Sequence, residues 1–390
     1  MKIVHIAPNA PYNDYWGYQE NILPKYQRKM GHDVTVIVTN QIHKDGKIEE
    51  IDCSDYFLDD GVRVIRLKKK KYPIRVLISL NSKLKVLPYL EAIKPDFIFY
   101  HGLHSATIFE VIDYKKHINP KCVIVQDNHS DYFNNGNAED IKGKLIRTYH
   151  RIRNKRSIHY ISKVYGVTPW RQKYAQDYFC IPECKTDVLI MGADEEKIDF
   201  DNRDTIRQNI RNKYGVSDSD YLIVTGGKID KNKNIDLLIQ ACSNIDGVKL
   251  LVFGSLDSNI KNTIDRLLES SPNATYIGWV EADKVYDYFL SADLVCFPGT
   301  HSVMWEQACA CRVPCLFKLW EGMEHVNNGG NSAFVSDVTV NKLYEKIVNL
   351  RYTEEYERMK MIAGSCATNI YLYSNIAHKS LECAIENEDF

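Results

Sequence analysis

Short apolar runs and amphipathic stretches alternate along this chain. The first run, Lys2–Ile6, gives way to a loop rich in Pro, Asn and Gly, then to a stretch of helical character near Tyr18–Met30, and through Gly31-His32 to a second run at Asp33–Val38. Strand, helix and strand in that order predict a βαβ unit. Further runs rich in Val, Ile and Phe at Val62–Arg66, Phe97–Tyr100, Cys122–Gln126 and Val164–Val167, several separated by helical segments, extend it to a parallel, doubly wound sheet.

The pattern then repeats. After Met191-Gly192-Ala193-Asp194 the polar stretch Glu195–Arg203 reads as a linker, and strand candidates recur at Leu222–Thr225, Lys249–Phe253, Thr275–Ile277, Leu294–Phe297, Val313–Phe317 and Ala333–Val335. The fold class expected is α/β, with a Rossmann-like domain over residues 1–194 and a second over 195–370. The remainder, 371–390, is helical over about Tyr371–Asn387 and is expected to cross back to the first domain. Two such halves facing across a cleft place ligands at the carboxyl ends of their strands, so function is sought in the loops that follow strands.

Composition narrows the classes. A chain of 390 residues exceeds what one hydrophobic core usually supports, and 44% hydrophobic with 26% charged residues fits a globular protein. A formal net charge of −1 gives no global field of the kind a nucleic-acid binder carries, and no nucleic-acid partner is expected. The opening apolar run is too short for a secretory signal and no stretch approaches the ~20 apolar residues of a membrane span, so a cytoplasmic protein is expected. Eleven cysteines are scattered, several inside apolar runs, and read as reduced structural thiols. The tightest group, Cys309, Cys311 and Cys315, matches no usual zinc spacing, and no metal is expected.

Two loops carry candidate chemistry. Thr225-Gly226-Gly227-Lys228-Ile229-Asp230-Lys231-Asn232-Lys233-Asn234 follows an apolar strand and precedes the amphipathic stretch Ile235–Cys242. Its glycines permit close backbone approach, the next helix offers unpaired N–H groups, and Lys228 and Lys233 supply charge for an anion. Each charge-assisted hydrogen bond to a phosphate contributes about 1.5–3 kcal/mol. A solvated lysine-rich turn fits the same composition. In the second loop, Pro298–Ala308, a carboxylate at a helix start suits sugar hydroxyls. Glu306 would hold a ribose, with the Ser302 and Val303 amides near phosphate, or would simply complement the helix dipole.

Together these stretches resemble glycosyltransferase family 4 over nearly the whole chain. Gly17-Tyr18-Gln19-Glu20 through Gly31-His32-Asp33-Val34-Thr35-Val36 is similar to that family's opening loop, helix and turn into its second strand. Lys94–Gly102, Met191–Asp194, Gly227–Lys233, Gly278-Trp279-Val280, Ala292–Leu294 and Glu306-Gln307-Ala308 match successive landmarks in order. The resemblance implies a GT-B fold and a retaining, metal-independent transfer that needs no cofactor beyond its nucleotide-sugar substrate, by preference a UDP-sugar. It implies a glycan or lipid-linked acceptor, in cell-surface polysaccharide assembly. Position by position it implies that Lys228 and Lys233 bind the donor diphosphate, Glu306 the ribose and the Trp279–Val280 backbone the base, while Gly17 lets a first-domain loop approach donor phosphate or acceptor.

Four departures stand out. Lys228 replaces an Arg and loses its bidentate fork; Asn234 and Arg312 stand where Gly is common; and Pro298 occupies the place of a second Glu, eight residues before Glu306. Contacts to the donor sugar then fall to His301 or Ser302, or are absent. That loss keeps a noncatalytic glycosyltransferase partner in view, against which the two lysines argue. A sugar-nucleotide epimerase or hydrolase of the same architecture is the other alternative. Dinucleotide oxidoreduction lacks its G-x-G-x-x-G after the first strand.

On the acceptor side, Asp127 and His129, just beyond another strand, are candidates to position or deprotonate a hydroxyl, or else belong to an Asx-type turn. His101 shares that ambiguity, and His104 reads as ordinary loop chemistry. Two basic stretches, Lys68–Lys71 and the stripe Lys144, Arg147, Arg151 and Lys155, suit an anionic membrane surface or a lipid phosphate. Beside the stripe runs an apolar one, Ile141, Leu145, Tyr149 and Ile152, which would equally pack a solvated helix onto the domain. At about 1 kcal/mol per basic residue, peripheral attachment would be appreciable and salt-sensitive.

Overall fold

A computed structural model of the chain describes residues 1–69, 83–133 and 140–385; Lys70 and Lys71 of the basic run, and Asn387 at the end of the expected terminal helix, lie outside them. The chain divides into two compact units, Met1–Ile190 with Ile376–Phe390, and Met191–Asn375. The stretch read as a linker lies inside the second unit. There the Ala193 amide donates to the Tyr371 carbonyl at 2.8 Å and Glu195 Oε2 accepts from the Ser374 amide at 3.0 Å, so the start of the stretch is anchored.

In the first unit the strands are β1 (Lys2–Ala7), β2 (Asp33–Thr39), β3 (Gln41–Lys44), β4 (Lys47–Glu50), β5 (Ser54–Phe57), β6 (Arg63–Leu67), β7 (Phe97–Tyr100), β8 (Val123–Asn128), β9 (Lys163–Gly166) and β10 (Thr186–Val188). Among the described residues they order as β10-β9-β8-β7-β1-β2-β6-β5, parallel except for β5, with β3 and β4 a separate hairpin. Strands such as β8 are buried at every position, because helices cover both faces of a parallel sheet, and that is why they read as unbroken apolar runs. Ile3 pairs with Val34 on one side and Phe97 on the other, so the order of connection reverses between β1 and β7. Such a reversal opens a crevice at the carboxyl ends of the two strands.

The second unit repeats the plan with β11 (Tyr221–Gly226), β12 (Val248–Phe253), β13 (Ala274–Gly278), β14 (Leu294–Phe297), β15 (Cys315–Lys318) and β16 (Ser332–Val335), all parallel in the order β13-β12-β11-β14-β15-β16. Its reversal falls between β11 and β14. Helix Ile235–Ser243 follows β11 and buries Ile235, Leu238, Ile239 and Cys242, the spacing of one helical face, against this sheet. The strand expected at Val313–Phe317 begins later, at Cys315, because Arg312 adopts a left-handed backbone (φ 59°) and delays the entry.

Candidate functional site

The two loops singled out in the second unit follow neighbouring strands, β11 and β14, and are fastened together. Lys233 Nζ donates to the carbonyls of Thr300 (2.6 Å) and His301 (3.4 Å), and the Thr300 amide donates to the Asn232 carbonyl at 3.0 Å. Asn234 sits in the left-handed region (φ 55°), which Asn tolerates better than most residues, and its Nδ2 donates to the Pro298 carbonyl at 2.9 Å. Two of the departures from the family pattern, Asn234 and Pro298, are thus joined by one hydrogen bond. Gly299 is required at the crossing, since a Cβ there would lie 2.3 Å from Lys233 Cα. Gly254, with φ 119°, lets the turn after β12 meet the loop after β11, where a Cβ would come within 1.9 Å of the Gly227 carbonyl oxygen.

The two lysines separate in role. Lys233 bridges the loops, and burial pushes its ammonium pKa down. Lys228 is 65% exposed, with Asp230 at 3.7 Å, and presents the mobile charge. Trp279 is exposed at the end of β13, with Val280 beside it, one strand beyond the Gly254 turn.

Glu306 lies in the helix Met304–Ala310 and is fully buried. Its Oε1 accepts from His301 Nε2 and from His325 Nε2, each at 2.8 Å, while Oε2 has no partner among the described residues. Burial alone would raise this carboxyl, but the imidazoles of His301 and His325 outweigh it and hold it down at about 2. Ser302 and Val303 form the turn into the helix, their carbonyls accepting from the amides of Trp305 and Gln307. The three ligand-type atoms of His301, Glu306 and His325 lie within 4.8 Å of one another. Their 2.8 Å nitrogen–oxygen separations are those of hydrogen bonds and shorter than the about 3.3 Å between tetrahedral zinc ligands. His325 was not foreseen. It closes the loop after β15, the strand next to β14, and that placement was the available signal.

In the first unit, Asp127 and His129 do come together, along with two further histidines. Asp127 is fully buried. Its Oδ1 accepts from the Gly102 amide (2.7 Å), and its Oδ2 from His101 Nδ1 (2.7 Å) and His129 Nε2 (3.2 Å). Despite burial, the two imidazoles hold its carboxyl well below the usual range. His129, 40% exposed, is the end of the cluster open to solvent; burial lowers its pKa, but the Asp127 charge prevails and raises it.

Behind Asp127 runs a buried relay. Ser380 Oγ donates to the Ala377 carbonyl (2.6 Å) and accepts from Gln27 Nε2 (2.9 Å); Gln27 Oε1 accepts from His5 Nε2 (2.7 Å); and His5 Nδ1 lies 3.1 Å from His101 Nε2. His101 thus stands between the buried His5 and the Asp127 carboxylate. Burial and the neighbouring His101 charge depress His5 to about 3 and keep it neutral. Gly17 stands apart, exposed, with none of the described residues within 4 Å of where its Cβ would be, its chain neighbours aside.

The basic helix Ile141–Ser157 inverts one expectation. Its buried residues are His150, Arg153, Asn154 and Ser157, with Arg153 donating to the carbonyls of Leu103 and His104, while Ile141, Leu145 and Ile152 are exposed. Three of the four residues of the apolar stripe therefore do not pack the helix onto its unit, while Tyr149 is half-buried. Lys144 and Lys155 are exposed; Arg151 is tied to the carbonyls of Asp177 and Tyr178, and Arg147 stacks over Tyr178. Lys69 Nζ donates to the Asn9 carbonyl. Among the described residues no helix is long and apolar enough to cross a membrane.

Residues 206–364 match the family described as Glycosyl transferases group 1. An uncharacterized glycosyltransferase of Methanocaldococcus jannaschii is 24% identical over 316 residues, 77% of this chain and 76% of its own length. The structure of Anabaena HepE in complex with UDP superposes with a TM-score of 0.69 at 14% identity, covering 99% of this chain and 100% of that one. A putative UDP-N-acetylglucosamine 2-epimerase from Listeria monocytogenes gives 0.60 at 12% identity, covering 100% and 96%. With two Rossmann-like sheets and a group 1 segment in its second unit, the chain has the fold of the GT-B glycosyltransferase superfamily.

Proposed function

We propose that the chain is a retaining, metal-independent glycosyltransferase of the family 4 type, transferring a sugar from a UDP-sugar to a glycan or lipid-linked acceptor in cell-surface polysaccharide assembly. The observation that carries this reading is the pair of interlocked loops at the reversal of the second sheet, where Lys228 presents an exposed cation next to Gly227 in sequence and Glu306 keeps one oxygen without a partner among the described residues. A diphosphate on Lys228 and the Gly227 backbone, a ribose on Glu306 Oε2 and a base beside Trp279 and Val280 would use each of these features. His301 and Ser302 then stand on the donor-sugar side, and the Ser302 and Val303 turn beside the phosphate. Positive charge placed where the nucleotide leaves stabilises the transition state more than the ground state. Lys233 acts by holding the loop that carries Lys228. The fold shared with the UDP-bound Anabaena protein supports UDP as the nucleotide.

In the first unit His129 is the group that meets the acceptor hydroxyl. Asp127, whose oxygens are all engaged, orients the imidazole and strengthens it as a base. Gly17 leaves room for a substrate beside its loop. Exposed Ile141, Leu145 and Ile152 next to Lys144 and Lys155 favour peripheral attachment to the inner, anionic face of a membrane.

The test is a panel of UDP-, GDP- and ADP-sugars with EDTA present, read by calorimetry and then by mass analysis of products with candidate acceptors. Transfer from a UDP-sugar with retained anomeric configuration is expected. Epimerised sugar or free nucleotide in the absence of acceptor would replace this reading with an epimerase or hydrolase, and no nucleotide binding would leave a noncatalytic partner.

A further inference from the structure

The second unit holds a cavity of about 360 Å³ that the nucleotide site does not use. Its walls come from the start of helix Arg203–Lys213, from Ala292 and Asp293 just before β14, from Arg312 and Pro314 just before β15, and from Tyr356 and Lys360 of helix Glu354–Ala363. These are the amino ends of the strands, whereas Lys228 and Glu306 follow carboxyl ends. In a parallel sheet the two sets occupy opposite edges, so this cavity is a separate place.

Its charge is unbalanced. Arg207 and the neighbouring Arg211 are committed to Asp293, at 2.6 and 3.1 Å. Among the described residues Arg203 makes only a 3.4 Å contact to the Arg312 carbonyl. Arg312 rests over the Phe200 ring at 4.4 Å and reaches Asn369 Oδ1 at 3.5 Å, while its Nε is buried without a partner among the described residues. Lys360 forms no ion pair among the described residues. With the Arg207–Asp293 pair set aside, three cations remain against Asp204. Burial, and the like charges of Arg207 and Arg312, lower the pKa of Arg203. Crowded, half-buried guanidiniums call for a counter-charge. Arg312 also holds a left-handed backbone (φ 59°), which glycine occupies without strain and arginine does not, so something besides the turn favours a guanidinium at this position.

We propose that this cavity is a second anion site that takes a phosphate dianion, either free or as the phosphomonoester of a small molecule. The uncommitted charge is near that of a phosphomonoester at neutral pH, about −1.5 to −2, and guanidinium forks suit its oxygens. The volume lies at the small end of ligand pockets, roughly 300–1,000 Å³.

The experiment is calorimetric titration of the full chain with inorganic phosphate and, separately, with glycerol 3-phosphate. It is repeated in a Lys228→Ala background that disables the nucleotide loop. Saturable binding that persists in Lys228→Ala and weakens about tenfold or more in Arg312→Gly and in Arg203→Gln is expected. Arg312→Gly should keep the wild-type Tm or exceed it, because glycine relieves the left-handed turn. Lys360→Gln, on an exposed helix position, provides a variant that leaves packing alone and should weaken binding in the same direction. Tighter binding of glycerol 3-phosphate assigns the site to an ester, and equal binding assigns it to free phosphate. The proposal is overturned if neither probe binds saturably, if binding vanishes in Lys228→Ala, or if all three pocket variants bind as the wild type does.

Discussion

Exchange of Glu306 for glutamine tests the electrostatics at the centre of the second unit. The carboxylate is fully buried and takes two N–H donors on one oxygen, His301 and His325 each at 2.8 Å. Burial raises its pKa and the two imidazoles more than reverse that, bringing the group from 4.5 to about 2. Because the folded value is the lower one, the unfolded chain takes up the proton first as pH falls. The stabilisation is complete above 4.5 and drains away as pH falls toward 2. At about 1.4 kcal/mol per pH unit, about 2 kcal/mol of it is gone by pH 3. Glutamine keeps the volume and a carbonyl acceptor but not the charge. Urea unfolding of both proteins from pH 6 to pH 3 can be followed by the fluorescence of Trp305, whose ring centroid lies 5.3 Å from that of His301. The stability gap between wild type and Glu306→Gln should be widest at pH 6 and narrow by about 2 kcal/mol at pH 3. A gap that does not change with pH refutes the reasoning, since the carboxylate would then owe nothing to its imidazoles.

Three further outcomes follow from the same geometry. Lys233→Met removes two carbonyl contacts at a half-buried position and should cost about 1–3 kcal/mol of stability in denaturant titration, whereas Lys228→Ala should cost less than about 0.5 kcal/mol because its head is exposed. Gly299→Ala forces a methyl to within 2.3 Å of Lys233 Cα, and should abolish nucleotide binding in calorimetry while the far-UV circular dichroism stays close to wild type. His129 should titrate above 6.5 in imidazole proton NMR and fall toward or below 6.5 in Asp127→Asn. Its raised pKa adds stability that is complete below 6.5 and lost as pH rises through the folded value, so the variant should show no such loss.

The strands were the legible part of the sequence. Phe97–Tyr100 and Leu294–Phe297 are strands over those same residues, because a strand buried on both faces must be a continuous apolar run. The β3–β4 hairpin and β5 escaped notice because Lys47–Glu50 and most of Ser54–Phe57 are solvent-exposed and carry no apolar periodicity. In the site, residue types and spacing drew attention to Lys228, Lys233, His301 and Glu306, but gave the two lysines one role. Only the third dimension shows Lys233 spanning to Thr300. His101, just after β7, joins Asp127 and is linked in turn to His5 of β1 and Gln27 of a helix, and His325 joins Glu306 across 19 positions; such contacts leave no local pattern. In the Ile141–Ser157 helix the packing reading of the apolar stripe fails for a similar reason: Arg153 is buried because backbone carbonyls and a histidine await its guanidinium, not because it is apolar.

The most direct test is calorimetric titration of UDP into the wild type and Lys228→Ala, with EDTA present and the Tm of each recorded. Binding by the wild type, weakened about 10- to 100-fold in Lys228→Ala at unchanged Tm, is the result expected from the loss of one charge-assisted phosphate contact. Equal UDP affinity in the two proteins, or none in either, would contradict the assignment of the donor diphosphate to this loop.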